Sequence, residues 1–210
     1  MSSNQHNLRQ RVTKLGAAFA MFRNGKSIAG LSILMAFVLV AIFAEQLAPF
    51  SPTQINPRAR LQPPSAEHWL GTTHLGEDVL SQVIYGTRGV VIVGALTALI
   101  AMTIAIVVGV LAGYLSGWRS EALSALANVF LVIPGIPILI IIASQFTNPP
   151  LWLIAAVLGL LGWGWGARVL RAQTMSLRNR DFVQAAKLNG ERLHRIIGVE
   201  MLPNLMAIIA

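Results

Sequence analysis

The sequence predicts an all-α integral membrane protein with four transmembrane helices, and three observations carry that prediction. Mean hydropathy is +0.65, with only 11% charged residues. Four apolar segments, 28–48, 89–115, 122–146 and 151–167, reach or approach the roughly 20 residues with which a helix crosses a hydrocarbon core. None alternates as a barrel strand would, and lipid offers no water to an open strand edge, so the helix is the spanning form that remains.

Charge distribution sets the expected orientation. With a cytoplasmic N-terminus, the inside segments 1–27, 116–121 and 168–203 hold five, one and seven Lys or Arg, thirteen of the sixteen. The reverse orientation would place those thirteen outside, against the positive-inside bias. The same asymmetry accounts for the net charge of +8 and the pI near 11.3 without nucleic acid. The chain contains no cysteine, which excludes disulfides, thiolate metal sites and a Cys nucleophile.

Taken in order, residues 1–27 form a cytoplasmic segment in which Leu8, Val12, Leu15, Phe19 and Phe22 recur every three or four residues among basic side chains. That spacing predicts an amphipathic helix on the inner membrane surface, with a disordered basic tail as the alternative. Segment 28–48 follows a basic lead but lacks a small-x-small cleavage site, so it reads as an uncleaved signal anchor and the first span.

Segment 49–88 is the extracytoplasmic loop, punctuated by Pro49, Pro52, Pro57, Pro63 and Pro64, which exclude regular helix there. At its end, "GEDVLSQVIYGTR" starts with acids suited to a first helical turn and predicts a short amphipathic helix leading into the second span.

The core, 89–167, carries spans two to four. Gly109 with Gly113, Gly113 with Gly117, and Gly162 with Gly166 are spaced for close helix packing. Pro134 and Pro137 predict kinks in span three, and Asn128 an interhelical hydrogen bond.

No catalytic residue emerges. His68 and His74 share the outside loop, but neither they nor His6 and His194 show a recognised zinc spacing, so no metal site is assigned. "GYLSG" places its serine one position late for a nucleophile elbow, and no phosphate loop is present, so Walker-type ATP hydrolysis by this chain is excluded.

The remaining feature is the polar, basic segment 168–203. Asp181 can cap or begin a helix, after which Phe182, Ala185, Ala186 and Asn189 fall on one predicted face. Gly190 follows where a C-terminal cap favours positive φ. A second short helix is expected from Glu191 towards Met201, with Leu193, Ile196 and Ile197 as its apolar stripe. Pro203 should end it and open another membrane helix, of which 204–210 is the start. The pattern reads as two short helices at a bend, with alanines where a partner approaches; a hairpin lying on the membrane is the alternative.

These residues resemble the EAA loop of bacterial ATP-binding cassette importer permeases. Gln184, Ala185 and Ala186 precede Gly190 by the family's three-residue interval, and Leu202 and Pro203 stand at the expected distance. Gln184 replaces the usual glutamate, and Glu200 occupies an often apolar position.

A second stretch, "LQPPSAEHWLGTTHLGEDVLSQVIYGTR", is similar to the outside loop of the C-type subunit in the dipeptide, oligopeptide and nickel permeases. Thr73, Glu77 and Gln82 stand where that family often has Asp, Arg and Arg. "AGYLSGW", 112–118, matches its loop after the second span.

The resemblance implies a six-span permease, so a truncated chain or part of one is expected. It implies ATPase-subunit coupling through Phe182, Gln184, Ala185, Ala186, Gly190, Leu202 and Pro203. The implied partners are a homologous second permease subunit, two ATPase subunits and an extracytoplasmic substrate-binding protein, in the lipid bilayer of a bacterial cytoplasmic membrane. No cofactor is expected on this chain; ATP and Mg belong to the partner subunits. Transport of di- or oligopeptides or a related solute is the implied function. A scaffold or assembly subunit without transport activity is the alternative, and a nucleotide-independent channel is third.

Overall fold

A computed structural model describes residues 25–209, with side chains to Leu205, and the amphipathic helix expected around Leu8 to Phe22 lies outside the described residues. The described residues are helical apart from turns, loops and one isolated antiparallel bridge between Thr72 and Asp78. The chain divides into two units, Met1–Val91 and Ile92–Ala210. Among the described residues, three helices are long and apolar enough to cross a membrane, with a fourth crossing if a bent helix pair is counted as one.

In the first unit, α1 spans Gly25–Ile42 and presents Ile33, Leu34 and Phe37 outward, as a lipid-facing helix does. The predicted first span breaks at Phe43 into α2, the single turn Ala44–Leu47. Ala48 is extended, the conformation that the ring of the following Pro49 imposes on its neighbour.

The loop beyond is held by a buried polar network instead of an apolar core. Asp78 Oδ2 accepts from the Ser81 amide and hydroxyl, each at 2.8 Å, and the Ser81 hydroxyl accepts from the Phe50 amide at 3.1 Å. On its other side, Asp78 Oδ1 lies 2.9 Å from His68 Nδ1, and the His68 ring packs 4.9 Å from Phe50. Gly76 has φ +81°, and a Cβ there would fall 1.9 Å from the Asn56 carbonyl oxygen, so only glycine fits. Among the described residues no His, Asp and Glu group could hold a metal; His68 is committed to Asp78.

Two expectations change here. Helix α3 begins at Val79 and runs unbroken to Tyr114, so the amphipathic helix and the second span are one element. At about 1.5 Å per residue its 36 residues extend well beyond a core of about 30 Å. Asp78 therefore caps the helix from outside instead of sitting in its first turn, which contains no acid. At the three positions that depart from the family's Asp, Arg and Arg, Glu77 accepts hydrogen bonds from Thr73 Oγ1 at 3.1 Å and Gln82 Nε2 at 2.9 Å.

Burial alone would raise the Asp78 carboxyl, but the Ser81 amide, the His68 ring and the Ser81 hydroxyl outweigh it and hold the group below its ordinary value of 3.8. A depressed folded-state value means that Asp78 supports the loop fully above the unfolded-chain value and loses that support as pH falls through the lower folded value. Asp78→Asn, which puts a donor amide in place of one oxygen of a carboxylate that holds three bonds, is expected to weaken loop protection by about 1–3 kcal/mol. Hydrogen exchange of the loop amides near neutral pH checks this; protection equal to that of the unmodified chain would refute the network's role.

In the second unit, α3 continues beside α4 (Trp118–Val132), α5 (Gly135–Ala143) and α6 (Leu151–Arg178). Ala105, Ala127, Trp163, Ala167 and Leu170 form the core, with the Phe130 and Trp163 rings 4.9 Å apart. Gly109 and Gly113 lie directly against α6, as their spacing predicts. A Cβ at Gly109 would meet the Ala167 carbonyl oxygen at 2.5 Å.

The other predicted glycine pairs divide. Gly117 serves a turn with φ +65° and Gly162 faces open space, whereas a Cβ at Gly166 would lie 3.2 Å from Ala105 Cβ on α3; Gly159 and Gly164, which the spacing did not single out, approach α3 and α4. The predicted third span is two helices bent by 65°. Pro134 sits at the break, while Pro137 falls in the first turn of α5, where its missing donor disrupts nothing, so it adds no kink. Asn128 is exposed, and no described residue hydrogen-bonds its side chain.

Candidate functional site

Helix α6 continues past Ala167, where its apolar composition ends, to Arg178. The Arg178 guanidinium then donates to the carbonyls of Tyr114 at 3.2 Å and Leu115 at 3.0 Å, satisfying orphan acceptors at the end of α3. This anchor fixes where the polar loop leaves the helical body.

Helix α7, Asp181–Leu188, starts with an acid in its first turn, as its dipole favours. Its end is a double hydrogen bond around Gly190, which has φ +71°. The Gly190 amide donates to Lys187 O at 3.0 Å and the Glu191 amide to Ala186 O at 3.1 Å, the geometry of a Schellman cap.

After a short α8, Leu193–Arg195, the chain enters a widened turn, Ile196–Met201, and passes directly into α9, Leu202–Ile209. Pro203 therefore does not end the second helix. The widened turn, in which the Leu202 amide reaches back to Ile197 O, accommodates a residue with no amide hydrogen and a bulky ring.

The predicted single face of α7 is divided between two surroundings. Val183, Ala186, Ile196 and Met201 form a buried cluster packed by Tyr114, Leu177 and Ile197. Ala186 thus points inward at 7% exposure, whereas Phe182, Gln184, Ala185, Asn189 and Gly190 are exposed. The sequence reading missed Val183, wholly buried, whose i, i+3 spacing with Ala186 was the available signal. Leu202 is partly buried and Pro203 exposed. Gln184, where the family pattern has an acid, donates to Arg178 O at 3.1 Å and so ties α7 back to α6.

Beside α7 lies an open groove of about 600 Å³ lined by Tyr114, Arg119, Arg178, Gln184 and Lys187. Lys187 Nζ sits 5.1 Å from the Tyr114 ring centroid, a cation–π contact. No carboxylate lines the groove, so the surface can receive an acidic or polar partner. Its chemistry is recognition: an exposed apolar and small-residue face, a rigid glycine bend and a basic flank.

Comparison with known proteins aligns both units. Residues 105–210 match the family described as "Binding-protein-dependent transport system inner membrane component", and residues 17–64 match "N-terminal TM domain of oligopeptide transport permease C". The oligopeptide transport system permease protein OppC of Mycobacterium tuberculosis is 37% identical over 189 residues, 89% of this chain and 65% of the relative. The dipeptide transport system permease protein DppC of Alkalihalophilus pseudofirmus is 35% identical over 90% of this chain and 62% of its own length. The nickel transport system permease protein NikC of Escherichia coli is 32% identical over 76% and 57%. The chain thus spans just under two thirds of the length of the first two relatives.

Proposed function

The chain belongs to the family of binding-protein-dependent transport system inner membrane components, and from that premise we propose that it is a permease subunit of an ATP-binding cassette importer for di- or oligopeptides or a related small solute. It walls the pathway and passes motion from partner ATPases to it, without covalent chemistry of its own. The partners are a second permease subunit, two ATPase subunits and an extracytoplasmic binding protein that delivers the substrate. Relatives named for oligopeptide and dipeptide transport support the solute class.

One observation carries the coupling role. The Asp181–Leu188 helix exposes Phe182 and Ala185 while Val183 and Ala186 anchor it inward, and Gly190 fixes its angle to the next helix. A docking element needs an outward face that moves with an inward one. ATP binding and closure of the ATPases would push on the first and tilt α6 through the second.

Purified chain is expected to show no ATP hydrolysis, and hydrolysis stimulated by the binding protein should appear when ATPases and second permease are reconstituted with it. Hydrolysis that scales with this chain alone would refute the assignment.

The orientation proposed with this reading has a cytoplasmic N-terminus and the 49–78 loop outside. The chain has no cysteine, so a cysteine introduced at Ser65 should react with an impermeant maleimide in intact spheroplasts, and one at Ser176 should not. Reversed labelling would overturn the orientation.

A further inference from the structure

Between α3, α4 and α6 lies a second cavity of about 300 Å³, lined on its polar side by Arg168, Arg171, Ser124 and Asn128. The two arginines stand one turn apart on α6, and among the described residues neither has an ion-pair partner. Arg171 Nε is buried with no hydrogen-bond partner at all. A guanidinium near the membrane core is costly without a counter-charge, so the lining of this cavity suits an anion.

Asn128 also borders a second hollow. It is an open groove of about 590 Å³ along α4, lined by Asn128 with Val129, Val132, Ile133 and Pro134. The groove runs to the break where α5 turns away by 65°. A basic, hydrogen-bonding chamber and an apolar trough that meet at Asn128 have together the polarity of an amphiphile with an anionic head.

Depth agrees with that polarity. Arg171 lies about 10 Å of helix before Arg178, which caps α3 at the loop, and this is close to where headgroups meet acyl chains. Basic pockets between transmembrane helices on the cytoplasmic side are the usual seats of acidic lipid headgroups.

The geometry points to a binding site for one anionic phospholipid: its phosphate lies on Arg168 and Arg171, with Asn128 beside the headgroup and one acyl chain in the Val129–Pro134 trough. Placement in the inner leaflet rests on the orientation proposed above, which maleimide labelling tests separately. Binding in detergent does not depend on orientation.

The test is native mass spectrometry of the full chain in neutral detergent, titrated with phosphatidylglycerol, phosphatidylcholine, inorganic phosphate or trialanine. One phosphatidylglycerol should be retained per chain, at least about tenfold more tightly than phosphatidylcholine, and neither phosphate nor trialanine should displace it at equal concentration. R168Q/R171Q should weaken phosphatidylglycerol about thirtyfold, from roughly 1 kcal/mol per basic side chain. Ala172→Phe, which fills the cavity and keeps both charges, should weaken it comparably and decides the matter alone if the double variant fails to fold. Equal retention of phosphatidylcholine, displacement by phosphate or trialanine, or unchanged affinity in a folded variant overturns the proposal.

Discussion

Ala185→Asp in the assembled importer is expected to reach the membrane at normal levels, lose its ATPase subunits on purification and lose uptake. Ala185 is exposed on α7, so a carboxylate there is hydrated in the free subunit and leaves the fold intact, within about 0.5 kcal/mol. Docked, the same carboxylate would be buried without a partner, a penalty of about 3–5 kcal/mol, or more than a hundredfold in affinity. Ala186→Asp should fail by another route, although the residue is adjacent. Ala186 packs with Val183, Ile196 and Met201, so a charge there disrupts the loop itself. Limited proteolysis separates the two: the Ala186→Asp loop should be cut rapidly and the Ala185→Asp loop should not. Retained ATPases and normal uptake in Ala185→Asp would show that this face is not the docking surface.

Gly113→Val is expected to separate α3 from α6 and cost about 3 kcal/mol or more, seen as a lower melting temperature in detergent and reduced accumulation. A Cβ at Gly113 would lie 2.6 Å from both the Arg171 carbonyl oxygen and Thr174 Cβ. The first of these is backbone and cannot rotate away, so relief requires moving a whole helix. Overpacking that side chains can absorb costs about 1–3 kcal/mol, and this contact lies at or beyond that range. Gly109 repeats the contact one turn earlier, so the helices cannot simply pivot about one point. Gly162→Ala provides the control: nothing lies within 4 Å of its Cβ position, and the change should be neutral or slightly stabilising. Equal melting of the two variants would refute the close approach.

Much of this protein was legible without coordinates. Apolar runs of spanning length and the Gly190 bend are local sums or local spacings, so one chain suffices to read them. Gly190 illustrates this: positive φ follows from a helix that must stop and turn, whatever packs around it. Asp78 was visible as an acid near a helix start, and its bond to Ser81 is a local cap, but its bond to His68 required the loop to close across the intervening residues.

Facing is another matter. In a lipid environment an inward and an outward residue are both apolar, so composition distinguished neither Gly113 from Gly162 nor the extent of α6, whose polar residues from Arg168 to Arg178 read as loop. Where water did provide contrast, in α7, the residues offered two overlapping stripes, and only the cluster formed by Ile196 and Met201 selected Val183 with Ala186 as the inner one. The break at Pro134, unlike the kink expected at Pro137, likewise depended on which proline fell in a first turn. The sequence determined which segments are helical and apolar, because that follows from residues close along the chain. Tertiary structure alone decided which faces meet, because that depends on residues brought together from distant helices.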